Sequence, residues 1–338
     1  MMLSIVIASY NTRDITRRCL EAVAADTAGL DYEVVVVDNG STDDSAAMIE
    51  REFPWVQLIR NTENRGFAAA QNVGLQRARG RYLLVLNSDV LLVGRSAAAM
   101  VHHLQSGPSR LGAVGPQVLN PDGHVTPSAR RALLPRPVLA LGVVNRHFSF
   151  KRLLPEAWMQ RRLGFLLGRL HDNYVTHSSP READFVDGMC VLFKREALQE
   201  TGLFDEQFFF DYEIVDLSNR LRALGWRIAF CPEARAIHLG HASRRQVRRT
   251  IVETHRSELI YHAKYAPQYI PFLRRITIAV VRLRMLTLRA RLCIRPRDAR
   301  AREYLGLCQD IVCITRQFQP SSVWRDQRIP ALDRQRAG

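Results

Sequence analysis

The sequence predicts an α/β fold: a mixed, mostly parallel sheet flanked by helices, followed by a basic helical extension. Three observations predict it. Runs rich in β-branched residues alternate with stretches of helical spacing, the pattern of βαβ units. Runs such as VVVV (34–37) and LLVL (83–86) are apolar at consecutive positions, which suits strands covered on both faces. The charge is also lopsided: of a net +15, residues 241–338 hold +14, from 21 Lys and Arg against 7 Asp and Glu.

In chain order, strands are predicted at 3–9, 33–38, 56–60 and 81–87, with helices at 12–25, 41–53 and 66–79 between them. Residues 107–137 are rich in Pro and Gly and read as loop around a short strand at 112–119. Residues 138–172 mix apolar and basic positions, as an amphipathic helix or a lid would. A strand and helix follow in FVDGMCVLFKREAL, a helix ending on Gly225 in EIVDLSNRLRALGW, and a final strand pair in RIAFCPEARAIHLG. This gives a first domain over 1–245, with 1–120 as one half, 121–180 as loop and lid and 181–245 as the other half. A basic helical region covers 246–338.

The tail contains RRITIAVVRLRMLTLRARL (274–292). On a helical wheel Arg275, Arg282 and Arg289 form one row, with Arg284 and Arg291 nearly opposite. They separate two apolar stripes, Ile276/Leu283/Leu286 and Ile278/Val281/Met285/Leu292. Either one stripe packs on protein while the other meets lipid, or the whole helix is packed and its arginines snorkel.

The chain has 338 residues, 47% of them hydrophobic, enough for one large domain or two smaller ones. No stretch approaches the ~18 apolar residues of a membrane span, and MMLSIVIASYN lacks the basic start of a signal peptide. The expected location is the cytoplasm, peripherally at the inner face of the cell membrane. The six cysteines form no CxxC pair and read as reduced packing residues.

In open sheets of this kind ligands bind beyond the carboxyl ends of the strands. There the sequence places Ser9-Tyr10-Asn11, Asp38-Asn39-Gly40 and Asn87-Ser88-Asp89. A carboxylate such as Asp89 suits a divalent cation that bridges two phosphates, which takes one or two protein carboxylates. It equally suits a turn or a helix cap.

SIVIASYNTRDITRRCLEAV, VVVVDNGSTDDS, NTENRGFAAAQNVGLQRARGRYLLVLNSDV, VDGMCVLFKREALQETGLFDEQFF and IHLGHAS stand in an order and spacing that resemble glycosyltransferase family 2. The closest resemblance is to its rhamnosyltransferase-like branch, which builds bacterial cell-surface polysaccharides, and it covers about residues 1–245. It implies a GT-A fold and transfer, with inversion, of a sugar such as rhamnose from a nucleotide-diphosphate donor, dTDP- or UDP-linked. The acceptor would be a hydroxyl of a polysaccharide or of a polyprenyl-diphosphate-linked saccharide. The resemblance assigns Ser9, Tyr10, Asn11, Asp38, Asn39 and Gly40 to the nucleotide, with Asp38 facing the base. Asn64, Gly66, Phe67 and Asn72 would line the donor pocket, although they read equally as a helix start. Asn87, Ser88 and Asp89 match the metal motif, with Asp89 the principal ligand of Mg2+ or Mn2+ and His238 beside the diphosphate or the ion. Asp187 and Gly188 open the acceptor side, or form a tight turn.

One motif departs from the family. Where it carries a Glu-Asp-x-Asp series, this chain reads FFFDYEIVDLSNRL, so Glu213 and Asp216 match the outer acids while Ile214 takes the place of the usual base. An inverting displacement needs a base for the acceptor's proton. Glu213 is the favoured replacement, with Asp211 as the other candidate. Asp216 would orient the acceptor or bind Arg220 one turn on. The competing reading is a catalytically impaired sugar-nucleotide-binding or scaffold relative. The basic tail suits an anionic membrane surface; nucleic acid is disfavoured, because few aromatics interleave with the arginines.

Overall fold

The computed structural model describes residues 2–130, 179–240 and 247–323, which form two compact units, 2–130 with 179–240 and 247–323. The amphipathic stretch expected at 138–172 lies outside the described residues.

The first unit begins with β1 (Leu3–Ser9), α1 (Arg13–Asp26), β2 (Tyr32–Asp38), α2 (Ser45–Glu52), β3 (Gln57–Arg60), α3 (Phe67–Arg77) and β4 (Tyr82–Asn87). It continues through β5 (Val90–Val93), α4 (Ser96–Ser106), β6 (Leu111–Leu119), β7 (Val125–Thr126) and β8 (Ala129–Arg130). After β9 (Arg181–Ala183), β10 (Phe185–Val186) and β11 (Cys190–Lys194) come α5 (Arg195–Thr201), α6 (Glu213–Ala223) and β12 (Arg227–His238). The main sheet runs β3-β2-β1-β4-β11-β6-β12-β5. Its first four strands are parallel, β11 is antiparallel to both neighbours, and β6 runs parallel to β12. The sheet is thus mixed and mostly parallel, as the sequence predicts.

The doubly apolar strands bury both faces. Leu3, Ile5 and Ile7 join Val34, Val36, Leu84 and Leu86 against Cys19, Leu20 and Val23 of α1 and Met48 and Ile49 of α2. Val6, Leu83 and Val85 face the opposite way, into a core with Ala68 and Leu75 of α3 and Leu217 and Leu221 of α6. Each such fully buried side chain stabilises by ~1.5–3 kcal/mol.

One local expectation differs from the structure. The predicted strand pair at 227–240 is one strand, β12, with a register shift between Cys231 and Arg235. Pro232 lacks the N–H that a ladder uses, so the chain bulges and rejoins β6. The β5 and α4 segment carries no strong period in sequence. Its helix start is capped from afar: Asp26, at the end of α1, accepts from the amides of Ser96 and Ala97, both at 2.8 Å.

The second unit comprises α7 (Val247–Tyr265), α8 (Ile270–Ile294) and α9 (Ala299–Gln317). Val281 and Leu288 of α8 pack with Leu307, Cys308 and Ile311 of α9. Leu259 of α7 meets Leu273 and Val280 of α8. Asp298 caps α9 through the Ala301 amide at 2.9 Å. Among the described residues no helix is long and apolar enough to cross a membrane.

Candidate active site

The parallel register brings three strand ends level: Ser9 pairs with Asp38, and Ala8 with Asn87. The hydroxyl of Ser9 lies 3.1 Å from that of Thr12 and 2.9 Å from that of Thr16, and Thr12 reaches the Ser88 hydroxyl at 3.3 Å. These buried hydroxyls tie the first and fourth strand ends together, so Ser9 and Ser88 brace this edge with their side chains. Asn11, at φ 52°, stitches the first loop to the second. Its amide oxygen accepts from the Thr42 N–H at 2.7 Å, and its own N–H donates to the Ser41 hydroxyl at 2.9 Å. Tyr10 is half-buried beside it.

Asp38 is buried at the end of β2. Its Oδ2 accepts from the Ser41 amide at 3.1 Å, while Oδ1 has no partner among the described residues. A buried acceptor left unmatched is destabilising unless a ligand fills it, so this atom marks the end of β2 as a place where a donor group is wanted.

The loop after β3 is held by Asn39, whose amide nitrogen donates to Asn64 Oδ1 at 3.0 Å and to the Gly66 carbonyl at 3.1 Å. Gly66 has φ 89°, and a Cβ there would lie 2.6 Å from the Phe209 carbonyl oxygen. Only glycine allows that approach. The adjacent Phe67 amide donates to the same carbonyl at 2.8 Å. Gly40 likewise lies against the backbone of Glu63, with a Cβ–C distance of 2.9 Å if a side chain were added. Asn72, expected either in the donor pocket or as part of a helix start, lies in α3. It is buried, donates to the Phe204 carbonyl at 2.9 Å and to Glu206 at 3.0 Å, and accepts from the Phe204 amide at 3.0 Å. Its amide holds the 204–206 turn, with both N–H groups engaged.

Beyond β4, Asp89 is 4% exposed, and its Oδ2 lies 3.2 Å from His238 Nε2. Antiparallel pairing of β12 with β5 sets His238 opposite Val90, which places the ring next to that carboxylate. The hydrogen bond to Asp89, against the opposing effect of burial, raises the His238 pKa, and Asp187 adds to the rise. Asn87 Oδ1 is buried without a partner among the described residues. A buried carboxylate, an orphaned amide oxygen and an imidazole together fit a divalent cation that prefers oxygen ligands.

The opposite side is built by the 187–188 turn and the start of α6. Asp187 sits in an ion pair with Arg130, Nε to Oδ1 at 3.2 Å. Burial, ahead of the opposing effect of Arg130, raises the Asp187 pKa, and Asp211 raises it further. Asp211 and Tyr212 both have positive φ, 70° and 66°. Such left-handed steps are uncommon outside glycine and gather at functional sites. They leave Asp211 exposed and turn Glu213 inward, where it is buried with Oε2 unpartnered among the described residues. Burial, then the charges of Asp211 and Asp216, push its pKa up to about 8. Electrostatic coupling therefore runs from Asp89 through His238, Asp187 and Asp211 to Glu213.

Ile214 turns into the core with Leu217 and Leu221. Asp216 is fully buried and bound by Arg220, Nε to Oδ2 at 2.8 Å, while that guanidinium also donates to the carbonyls of Thr201 and Leu203. Of the two sequence readings for Asp216, the structure shows the pairing with Arg220. Arg130 escaped the sequence reading because it lies in a Pro- and Gly-rich stretch with no motif. A separate group joins His103 of α4 to Cys231 and Glu233 of β12, where the Cys231 thiol donates to Glu233 at 3.4 Å.

A family model described as "Glycosyl transferase family 2" matches residues 4–202. The N-acetylglucosaminyl-diphospho-decaprenol L-rhamnosyltransferase of Mycobacterium tuberculosis is 29% identical over 277 residues, 78% of this chain and 84% of that protein. The UDP-Glc:alpha-D-GlcNAc-diphosphoundecaprenol beta-1,3-glucosyltransferase WfaP of Escherichia coli is 30% identical over 106 residues, 31% of this chain and 42% of its own. Among solved structures, GalNAc-T7 with UDP, GalNAc and Mn2+ aligns with a TM-score of 0.50 at 18% identity, covering 78% of this chain and 50% of that one. That likeness is one of fold.

Proposed function

The chain belongs to glycosyl transferase family 2, and from that premise we propose that this glycosyltransferase inverts the anomeric carbon as it moves a sugar, rhamnose in the favoured reading, from a dTDP- or UDP-linked donor to a saccharide hydroxyl. The acceptor in this reading is linked through diphosphate to a polyprenol. The Mycobacterium and Escherichia relatives are named for different sugars but for the same GlcNAc-diphospho-polyprenol acceptor, which favours that class. The enzyme would work at the cytoplasmic face of the membrane, its basic C-terminal region against anionic lipid.

The observation that carries the proposal is Glu213 at the 187–188 turn, a buried carboxyl with an oxygen that lacks a partner among the described residues and a pKa pushed up to about 8, in the same unit as the Asp89–His238 contact at 3.2 Å. Asp38 Oδ1 takes a donor from the nucleotide base. Asp89, with Asn87 Oδ1 and His238, would hold Mg2+ or Mn2+, which supplies positive charge to the departing diphosphate. Glu213 takes the proton from the acceptor hydroxyl as that oxygen bonds to the anomeric carbon and the bond from carbon to diphosphate oxygen breaks. Asp187, steadied by Arg130, positions the acceptor.

Calorimetric titration with dTDP, UDP and GDP, with and without Mg2+ or Mn2+, tests the donor site. Cation-dependent binding of one nucleotide, weakened tenfold or more in Asp89→Asn, is expected, on the order of the loss seen when a metal site is damaged. Absence of binding to all three would overturn the proposal. Binding without sugar transfer would return the impaired-relative reading that Ile214 raises.

A further inference from the structure

We propose that the exposed face of α8 docks onto an anionic lipid surface. At 100° per residue, Arg275, Arg282 and Arg289 fall in one row about 40° wide, with Leu286 and Leu283 beside it. All five side chains are exposed. Leu283 is 55% and Leu286 60% exposed, and Ile294 at the helix end is 81% exposed. The other side of the helix is occupied: Val281, Met285, Leu288 and Leu292 pack in the cluster shared with α9. Of the two apolar stripes read from sequence, one is therefore filled by protein. The other keeps its two leucines in the open.

Charge selects the occupant. α8 contains six arginines and no acidic residue. Among the described residues no carboxylate pairs with Arg275, Arg282 or Arg289, whereas Arg291, off this row, is bound by Asp298 at 2.7 Å. Exposed leucines flanked by unpaired arginines fit a surface that is apolar just beneath a layer of negative charge, which is a phosphate-bearing lipid leaflet. The helix would lie in the plane of the interface, arginines at phosphate depth and leucines below. The inference deepens the reading of a lipid-linked acceptor and rests on it only for its purpose.

The full chain is to be floated with vesicles of phosphatidylglycerol and phosphatidylcholine, and with phosphatidylcholine alone. Flotation with the anionic vesicles, reduced by salt and absent from neutral ones, is expected. Replacing one arginine, Arg282→Gln or Arg289→Gln, should weaken binding about five-fold each. Leu283→Ser with Leu286→Ser should weaken it by at least about tenfold at unchanged charge, since it removes the buried apolar contact. Both leucines are exposed, so the fold and the transfer of sugar to a water-soluble acceptor should be retained. Three results would each overturn the proposal: no flotation, flotation unaffected by the leucine pair, or a dimer that the pair converts to monomer without vesicle binding. RNA retention without vesicle binding would do so too. A protein that floats but transfers no sugar fails the functional reading alone.

Discussion

Gly188 lies against the first turn of α6: a Cβ placed on it would stand 3.2 Å from Cβ of Ile214 and 3.6 Å from Oε1 of Glu213. The 187–188 turn thus closes on the carboxyl proposed as base, and a methyl group there pushes the two apart. Gly188→Ala should lower kcat/KM roughly tenfold, as small displacements of reacting groups do, with nucleotide affinity unchanged. Measuring binding and turnover separately checks this; unchanged turnover would place the acceptor reaction elsewhere.

Glu213 gives the pH dependence. Burial first, then Asp211 and Asp216, hold its pKa at about 8, and a base acts in its ionised form. Below that point kcat/KM should climb about tenfold per pH unit, then level off. Asp211→Asn removes a neighbouring negative charge and should move the inflection to lower pH. Glu213→Gln should cut turnover by ~10²–10⁴ while nucleotide still binds. Stability has a definite sign as well. The folded state prefers the protonated carboxyl, so this group's favourable contribution is full below its unfolded value of 4.5 and is lost as pH rises through about 8. Glu213→Gln should therefore raise Tm at pH 8 and give little gain near pH 4, which thermal unfolding at the two values would show.

The parts of this site that were legible in sequence are those fixed by short-range pattern. Apolar runs ending on Ser9, Asp38 and Asn87 specify parallel strands, and parallel register alone brings their ends together. The family motifs placed Asp89 and His238 as candidates; the antiparallel return of β12 beside β5 explains their 3.2 Å contact. What escaped depends on contacts between distant segments. Nothing near Asn72 in sequence announces that its amide is taken by Phe204 and Glu206. Arg130 gains meaning only when β8 pairs with β10 and sets it near Asp187. The two left-handed residues before α6 belong to no sequence signature, since Asp and Tyr adopt that conformation only when their surroundings impose it.

Ile214 occupies the position where the family's base is usually assigned, yet its side chain is 6% exposed and packs in the core. Ile214→Asp would bury a carboxylate among Leu217, Leu221 and the Gly188 backbone. It should destabilise the fold by about 3 kcal/mol or more, and place a further negative charge beside Glu213. Turnover per folded molecule should fall. Denaturant unfolding paired with a transfer assay tests this, and a gain in turnover would give the base role to position 214.

Asp216 and Arg220 form the buried pair that fastens α6 to the 201–203 turn, with the guanidinium also donating to Thr201 and Leu203 at 2.9 and 2.7 Å. Removing one partner of such a pair leaves an uncompensated buried charge. Asp216→Ala should cost about 3–5 kcal/mol, and Asp216→Asn, which keeps an acceptor for Arg220 Nε, distinctly less. With its carboxylate held by Arg220, the surviving folded fraction should retain nearly normal kcat, and loss of the Asp216 charge should move the inflection of the pH profile lower. Asn72→Ala should behave alike, losing about 1–3 kcal/mol as the Phe204 amide is left unbonded, with nucleotide affinity preserved. Unfolding midpoints set beside kcat for folded protein decide the matter. A collapse of kcat in Asp216→Asn at full stability would restore this carboxylate to the catalytic machinery.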